Sequence, residues 1–215
     1  MEFNPGFQVS LNVQGRSCLV LGGEDEAVEK IERLLDAGAK VTVIHPTLHA
    51  ILRKYTASGR IIHRGRMFRI TDVQNGVTAV MNTVAGDHDL AKQLYELSKT
   101  EHFLVWSIDQ PDLSTFTMPA LVKRGHLRVA ISTSGASPSL AKALRQDLDT
   151  VLDEELVDIL DWLSTVRANL RDSEPSERKR REQLQQIIEG FRLSGTLEYP
   201  KAWQEQRLAH AVKES

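Results

Sequence analysis

Short apolar runs recur through the first half of the chain, and the segments between them carry apolar residues at helical spacing. The first run covers residues 18–21 and ends at Gly22-Gly23, as expected for a buried strand followed by a tight turn. The next segment, residues 25–37, has apolar positions three and four apart and stops at Gly38. Further strands are predicted at residues 41–44, 61–62, 77–81 and 103–108, and further helices at residues 47–58, with Thr47 as N-cap, and 88–99. Strands that alternate with helices predict an α/β fold with a Rossmann-like, doubly wound parallel sheet.

The pattern changes after residue 112. Residues 114–118 and 127–133 are two strand-like segments close together, which suit a small appended sheet that serves dimerisation. Ser137 and Pro138 then open a helix, because serine is favoured at the N-cap and proline at the first helical position. From residue 147 onward the chain is predicted to be almost wholly helical, with apolar stripes at residues 156–163 and 184–191. We therefore divide the chain into a dinucleotide-binding-type domain (residues 1–112), a dimerisation segment (113–148) and a helical C-terminal domain (149–215).

The composition narrows the function classes. A net charge of −2 argues against a nucleic-acid binder that works through a broadly basic surface. The chain has one cysteine, Cys18, within an apolar run, which indicates a buried structural thiol and a reducing compartment. We find no signal peptide after Met1 and no apolar run of the roughly 18 residues that a membrane span needs. These features predict a cytoplasmic protein without nucleic-acid or membrane partners.

The first motif with chemical meaning is Gly22-Gly23-Glu24-Asp25-Glu26-Ala27, at the first strand-to-helix turn. A dinucleotide fingerprint places glycines here so that the backbone approaches a pyrophosphate on the helix N-terminus. The first glycine and the final small residue are present, but Glu24 stands at the middle glycine position. Three carboxylates here would repel a pyrophosphate, whereas acidic residues also favour a helix N-terminus for structural reasons alone. The second strand ends without a carboxylate for the ribose hydroxyls, so spacing alone supports a nicotinamide site only weakly.

Two later motifs place polar residues where open α/β sheets build their sites. Asp109 follows the fifth predicted strand, where a carboxylate acts as a general base, meets a metal ion, or simply forms a turn. Residues 129–138 run from a strand into a turn rich in glycine and hydroxyl groups. Such a turn either holds carboxylates or phosphates or only caps the next helix. Its candidate ligand-binding residues are Ser132, Thr133, Ser134, Gly135 and Ser137.

Four consecutive basic residues, Arg178 to Arg181, lie in the helical part of the chain. They either bind an anionic ligand or form a solvated helix face. Glu177 and Glu182 on either side favour the solvated face.

Several segments in a fixed order carry a family resemblance. They are Leu11-Asn12-Val13-Gln14-Gly15-Arg16, the glycine turn, Ser114-Thr115-Phe116-Thr117-Met118-Pro119-Ala120, Arg124, and Ala130-Ile131-Ser132-Thr133-Ser134-Gly135-Ala136-Ser137-Pro138. Together they resemble the bifunctional precorrin-2 dehydrogenase and sirohydrochlorin ferrochelatase family, which includes the amino-terminal half of siroheme synthases. The resemblance spans about residues 7–150, and the helical tail resembles the extension of the stand-alone members.

The resemblance implies a Rossmann-like homodimer that oxidises precorrin-2 to sirohydrochlorin with NAD and in some members inserts iron or cobalt. It implies that Asp109 is the catalytic residue and that the cofactor lies against Gly22, Gly23, Glu24, Asp25, Glu26, Pro46 and Thr47. It also implies that the hydroxyl-rich turn, Ser132, Thr133, Ser134, Gly135 and Ser137, lies in the tetrapyrrole cleft. No residue is assigned as a metal ligand.

The chain departs from the family pattern at three places. Glu24 replaces a glycine, residues 84–86 replace the usual Ala-Thr-Asp, and Trp106 replaces an asparagine. All three are positions near the nicotinamide cofactor, whereas Asp109 and the turn before Pro138 fit the pattern. Three functions therefore stay open: NAD-dependent precorrin-2 dehydrogenase, which leads; a sirohydrochlorin chelatase without the redox step; and a non-catalytic tetrapyrrole-binding protein with a degenerate NAD site.

Overall fold

A five-stranded parallel sheet forms the first part of the chain in the computed structural model, which describes residues 6–74, 76–201 and 203–204. Its strands are β1 (Ser17–Leu21), β2 (Lys40–Ile44), β3 (Ile62–Arg64), β4 (Ala79–Asn82) and β5 (Leu104–Ser107). They lie in the order β3-β2-β1-β4-β5, and every neighbouring pair is parallel. The chain therefore reverses its direction of winding between β1 and β4, which makes the carboxyl ends of these two strands the border of the crevice where such sheets bind ligands.

Helices cover both faces of this sheet. They are α1 (Asp25–Asp36), α2 (Ala50–Ala57) and α3 (His88–Glu101). Ile31 of α1 and Leu52 of α2 are fully buried in the cluster on one face, and Leu94 of α3 is fully buried in the cluster on the other. This arrangement confirms the predicted α/β fold with a doubly wound parallel sheet.

Cys18 lies on β1, inside the first of these clusters, and its side chain is fully buried. Burial raises the pKa of its thiol. The thiol is therefore protonated and inert at neutral pH, as a structural cysteine is expected to be.

A second, two-stranded sheet follows, formed by β6 (Ala120–Arg124) and β7 (Leu127–Ile131). The remaining helices are α4 (Pro138–Val151), α5 (Glu155–Ser173) and α6 (Glu177–Ile187). By contacts the chain falls into two compact units: residues up to Val122 with Arg128–Val151, and Lys123–Leu127 with the chain from Leu152 onward. In the part of the chain that the structure describes, no helix is both long enough and apolar enough to cross a membrane.

Three local predictions were wrong. Thr47 is not the N-cap of α2, because His49 holds that place and its Nδ1 accepts a hydrogen bond from the Ile51 amide. Residues 114–118 form no strand, and Thr115 instead hydrogen-bonds to Val105 along the edge of β5. The helical tail is interrupted rather than continuous, since α6 stops at Ile187, residues 188–200 are not helical, and helical residues recur at Lys201.

The loop after β3 closes around a buried carboxylate. Asp72 accepts hydrogen bonds from the guanidinium groups of Arg66 (2.6 and 2.8 Å) and Arg64 (2.6 Å) and from the Arg69 amide (2.9 Å). Its side chain is 2% exposed. The Arg66 guanidinium, with the other donors, lowers the pKa of Asp72 from 3.8 to about 2, against the opposing effect of burial. The carboxylate is therefore charged at neutral pH and fixes the path of this loop.

Candidate functional site

The turn between β1 and α1 is packed so tightly that it accepts only glycine. Gly22 has a φ of +116°, and a Cβ there would collide with the Thr83 side chain after β4. A Cβ on Gly23 would collide with the carbonyl oxygen of Thr47 after β2. The His49 amide also donates to the Gly23 carbonyl oxygen at 2.6 Å. Three loops therefore interlock at the carboxyl ends of β1, β2 and β4, and the glycines are required by this packing.

Glu24 stands at the N-cap of α1 with an extended backbone, φ −98° and ψ −168°, which any residue adopts. Its side chain is exposed and makes no capping hydrogen bond. The first amide groups of α1 therefore stay available to an anion, as a cofactor pyrophosphate requires. The backbone at position 24 does not require glycine, so what the glutamate adds is a side chain with a negative charge.

The two acidic residues that follow Glu24 contact basic side chains. The Glu26 carboxylate lies 2.6 Å from the Lys30 ammonium group. The Asp25 carboxylate lies 3.3 Å from Nε2 of His49, a contact that is an ion pair only when the imidazole is protonated. Lys30 therefore offsets the charge of Glu26, and the repulsion of a pyrophosphate comes chiefly from the exposed carboxylates of Glu24 and Asp25.

Trp106, which replaces the family's asparagine, packs against the same helix. The Lys30 ammonium group lies 5.0 Å from the centre of the Trp106 indole, over its ring. Lys30 is only 6% exposed, and a buried charge needs compensating contacts. The cation–π contact with Trp106 and the ion pair with Glu26 supply them. The tryptophan thus joins the end of β5 to the first turns of α1.

Asp109 lies two residues beyond β5, with its side chain exposed. Its φ is +54°, a left-handed conformation that aspartate and asparagine tolerate better than most residues. It lines a small pocket of about 90 Å³ together with Trp106, Ser107, Gln110, Pro111, Ser114 and Thr117. A carboxylate at the mouth of a pocket beyond a strand end is placed to exchange a proton with a bound molecule.

The strand ends around Asp109 are held by buried and half-buried polar side chains that sequence reasoning missed. Asn82 of β4 is fully buried and its Nδ2 donates to Ser107 Oγ at 3.4 Å, while its Oδ1 accepts from the Val84 amide at 3.1 Å. Ser114 Oγ accepts from the Ser107 amide at 3.0 Å and donates to the Gln110 carbonyl oxygen at 2.9 Å. The sequence signal was an asparagine closing the apolar run of β4, directly before the switch point.

The hydroxyl-rich turn after β7 is organised by its own side chains. Ser134 and Gly135 both have positive φ, +51° and +85°. Thr133 Oγ1 accepts from the Ser137 amide at 3.1 Å, and Ser132 Oγ accepts from the Ser134 amide at 3.1 Å. Ser137 Oγ accepts from the Leu140 amide at 3.2 Å, which confirms that Ser137 caps α4.

A second, larger opening of about 430 Å³ lies beyond β2 and includes Pro46 and Thr47. The structure therefore brings Gly23 together with Thr47, and Asp109 together with Trp106. Neither pocket is lined by a residue of the turn between Ser132 and Ser137. In the described ranges, no group of three or more His, Cys, Asp and Glu side chains is arranged as a metal site.

The basic run at Arg178 to Arg181 is mostly engaged within the helical part. Arg178 and Arg181 lie 3.5 Å and 3.6 Å from Glu182 and Glu177, and Arg180 donates to the carbonyl oxygens of Glu174 and Pro175. These contacts favour the solvated helix face that the sequence suggested.

A family model described as "Putative NAD(P)-binding" matches residues 9–120, which is the whole sheet with its glycine turn. The chain belongs to this family. A second model, described as "Sirohaem biosynthesis protein central", matches residues 124–150, which include β7 and all of α4 but its last residue. The two matches follow each other along the chain, as the family resemblance implied.

Curated relatives match most of this chain within longer proteins. The siroheme synthase of Nitrosococcus oceani is 32% identical over 190 residues, which are 88% of this chain and 40% of that protein. The siroheme synthase of Methylobacillus flagellatus is 35% identical over 152 residues, which are 71% of this chain and 32% of that protein. The chain thus spans well under half the length of these relatives.

A solved structure matches nearly the whole chain. It is described as "SirC, precorrin-2 dehydrogenase", with a TM-score of 0.71 and 27% sequence identity, and the match covers 97% of this chain and 100% of that one. The likeness extends over the sheet and the later helical elements alike.

Proposed function

We propose that this chain is a precorrin-2 dehydrogenase, which oxidises precorrin-2 to sirohydrochlorin with NAD in siroheme biosynthesis. The observation that carries the proposal is Asp109, an exposed carboxylate in a pocket at the carboxyl edge of an NAD(P)-binding-type sheet. Its support is the match over 97% of the chain to the precorrin-2 dehydrogenase SirC.

Residues at the carboxyl edge would hold the cofactor. When bound, NAD accepts a hydride from the substrate. The backbone of Gly22 and Gly23 and the uncapped amides of α1 would bind its pyrophosphate, while Pro46 and Thr47 lie where its adenosine ribose is expected. The substrate loses a proton as well as the hydride, and we assign this proton to the Asp109 carboxylate as general base.

The turn at Ser132, Thr133, Ser134, Gly135 and Ser137 would bind the tetrapyrrole. The amides of Ser134, Ala136 and Ser137 are bonded within the turn, so the hydroxyl groups of Ser132, Thr133 and Ser134 would donate to an anionic side group of the substrate. This role uses the hydroxyl groups that remain after Ser137 has capped α4.

Metal insertion is a second candidate activity, with iron or cobalt as substrate. The observation that favours it is the exposure of Asp109, whose carboxylate would accept the pyrrole protons that a metal displaces. We further propose that the chain forms a homodimer through residues 113–148. We also propose a cytoplasmic location, where nicotinamide cofactors are available.

The test is Asp109→Asn, with Asp112→Asn as the matched control. Asparagine tolerates the left-handed backbone of position 109, so this variant removes the carboxylate and leaves the turn intact. We expect the rate of sirohydrochlorin formation, followed by absorbance, to fall about 100-fold or more, while NAD affinity measured by calorimetry stays unchanged. Asp112 is exposed and does not line the pocket, so its variant should retain wild-type turnover.

Full turnover in Asp109→Asn would remove Asp109 from the proposal. A wild-type chain that neither binds NAD nor oxidises precorrin-2 would overturn the dehydrogenase. Incubation of sirohydrochlorin with Fe²⁺ or Co²⁺ would then separate a chelatase, which inserts the metal, from a tetrapyrrole carrier, which does not.

A further inference from the structure

The pocket beyond β2 has a charge pattern that the dehydrogenase activity alone does not explain. It is enclosed by residues 46–48, by Arg53 and Thr56 on α2, and by His63 on β3. None of the residues that line it is acidic. Its polar groups are instead an arginine, a histidine and two threonine hydroxyls.

The end of β2 is where sheets of this kind distinguish the two nicotinamide cofactors. A carboxylate at this point accepts hydrogen bonds from the ribose hydroxyls of NAD and repels the 2′-phosphate of NADP. Here the strand ends Ile44-His45-Pro46-Thr47, without a carboxylate. The element that would reject a 2′-phosphate is therefore missing from this strand end.

Arg53 supplies a fixed positive charge to the same pocket. Its Nη1 donates to the Leu48 carbonyl oxygen at 2.5 Å, which holds the guanidinium against the β2–α2 loop. A guanidinium has five N–H donors, so this bond leaves others for a ligand. Arginine also binds phosphate with two parallel hydrogen bonds, which makes it the usual partner of a 2′-phosphate.

His63 faces the same pocket from β3. Its Nε2 lies 2.8 Å from the His45 carbonyl oxygen, which fixes the ring against the end of β2 and leaves Nδ1 free of that contact. The nearby carboxylates point elsewhere: Asp25 contacts His49, and Asp72 is enclosed by Arg64 and Arg66. Arg53 thus lines this pocket and no carboxylate does, so a doubly charged phosphate gains more here than a neutral hydroxyl does.

We infer that this pocket binds the 2′-phosphate of NADP, so that the chain accepts NADP at least as well as NAD, with Arg53 as the residue that recognises the phosphate. The inference rests on the proposed function, because it concerns the adenosine end of the same cofactor.

The experiment is a pair of calorimetric titrations of the full chain, one with NAD and one with NADP, repeated for Arg53→Gln. We expect NADP to bind the wild type at least as tightly as NAD. Arg53→Gln should weaken NADP binding about tenfold, as the loss of a charged hydrogen bond does, and change NAD binding less than twofold. Lys54→Gln is the control, since it removes the same charge from the neighbouring exposed position on α2, outside the pocket. It should leave both affinities as they are.

A second variant tests the phosphate site without changing Arg53, in case Arg53→Gln alters the β2–α2 loop. Thr47→Asp places a carboxylate on the exposed residue after β2 and should weaken NADP binding while NAD binding is retained. The fragment pair 2′,5′-ADP and 5′-AMP should show the same preference for the 2′-phosphate.

Tighter binding of NAD than of NADP by the wild type would overturn the inference and leave the dehydrogenase intact. An equal loss of both affinities in Arg53→Gln would also overturn it, because Arg53 would then act on the loop rather than on the phosphate. Failure of both cofactors to bind the wild type would overturn the proposed function itself.

Discussion

Two residues at the carboxyl edge of the sheet show how backbone and side chain contribute separately to the site. At position 24 the backbone is extended and permits any residue, so the glutamate affects a ligand through its charge alone. At position 109 the backbone is left-handed, and few residues besides Asp, Asn and Gly adopt it without strain. A substitution at position 24 therefore changes binding without changing the fold, whereas one at position 109 must respect the turn.

We expect Glu24→Gln to strengthen NAD binding. Like charges at about 4 Å cost roughly 1 kcal/mol in water, which corresponds to about a fivefold lower Kd for the neutral variant. Calorimetric titration at low and high salt measures this, and the gain should shrink as salt screens the charge. Glu96→Gln, an equal charge change on the exposed side of α3, should leave the Kd unchanged. A Kd that stays the same in Glu24→Gln would mean that this carboxylate does not face the pyrophosphate.

At the scale of elements, polar groups tie loops to strand ends where the hydrophobic core no longer reaches. Asp72 closes the loop after β3, Asn82 joins the ends of β4 and β5, and Ser114 covers the edge of β5. A sheet edge that is covered in this way offers fewer free backbone groups to another chain. The loops that carry the candidate site are thus held by a small number of buried and half-buried hydrogen bonds.

The Asp72 cluster predicts a specific dependence of stability on pH. Because folding lowers the pKa of Asp72 from 3.8 to about 2, the carboxylate stabilises the fold above pH 3.8, and this contribution disappears as the pH falls towards 2. Asp72→Asn should therefore lower the free energy of unfolding at pH 7 by about 2 kcal/mol, with a smaller difference from wild type at pH 3.

Urea denaturation at the two pH values measures this difference. Asp89→Asn, an exposed residue in the first turn of α3, is the control and should show a small effect at both. A deficit in Asp72→Asn that is as large at pH 3 as at pH 7 would contradict the assignment.

Periodic segments were predictable from the sequence, and isolated contacts were not. The parallel sheet and the helices α1 and α3 follow from apolar spacing and glycine stops, because these signals extend over many residues. The N-cap of α2 was missed because a histidine ring, rather than the usual hydroxyl of Thr47, accepts the amide. The side chains of residues 114–118 predict a strand, yet the Thr115 hydroxyl instead accepts a hydrogen bond from the Val105 amide at the edge of β5. The role of Asn82 was not predicted because a single buried side chain produces no repeating pattern in the sequence.

At the scale of the whole molecule, the elements after residue 120 bury little within one chain. Helices α5 and α6 contain no buried residue, and β6 and β7 form a sheet of only two strands, which is marginally stable by itself. Leu140 of α4 is 52% exposed. These observations support a partner for the segment at residues 113–148, and a second copy of the chain is the partner that the family resemblance implies.

We expect sedimentation to give twice the chain mass of 24.1 kDa. Leu140→Glu should shift the protein towards the monomer, because a charge placed in an apolar interface loses its solvation. Ser139→Glu, one residue earlier and equally outward on α4, should remain dimeric. A monomeric wild type at micromolar concentration, or dimers in both variants, would remove this segment from the interface.

The interlocked glycine turn has a consequence for how such a protein changes over generations. Gly22 and Gly23 are fixed by the loops around them while position 24 is not, so under the proposed function selection would alter cofactor affinity at one codon without passing through misfolded intermediates. Glutamate and glycine codons differ by a single nucleotide. A lineage that no longer needs the redox step, or needs it again, therefore has a short and reversible mutational path between the two states.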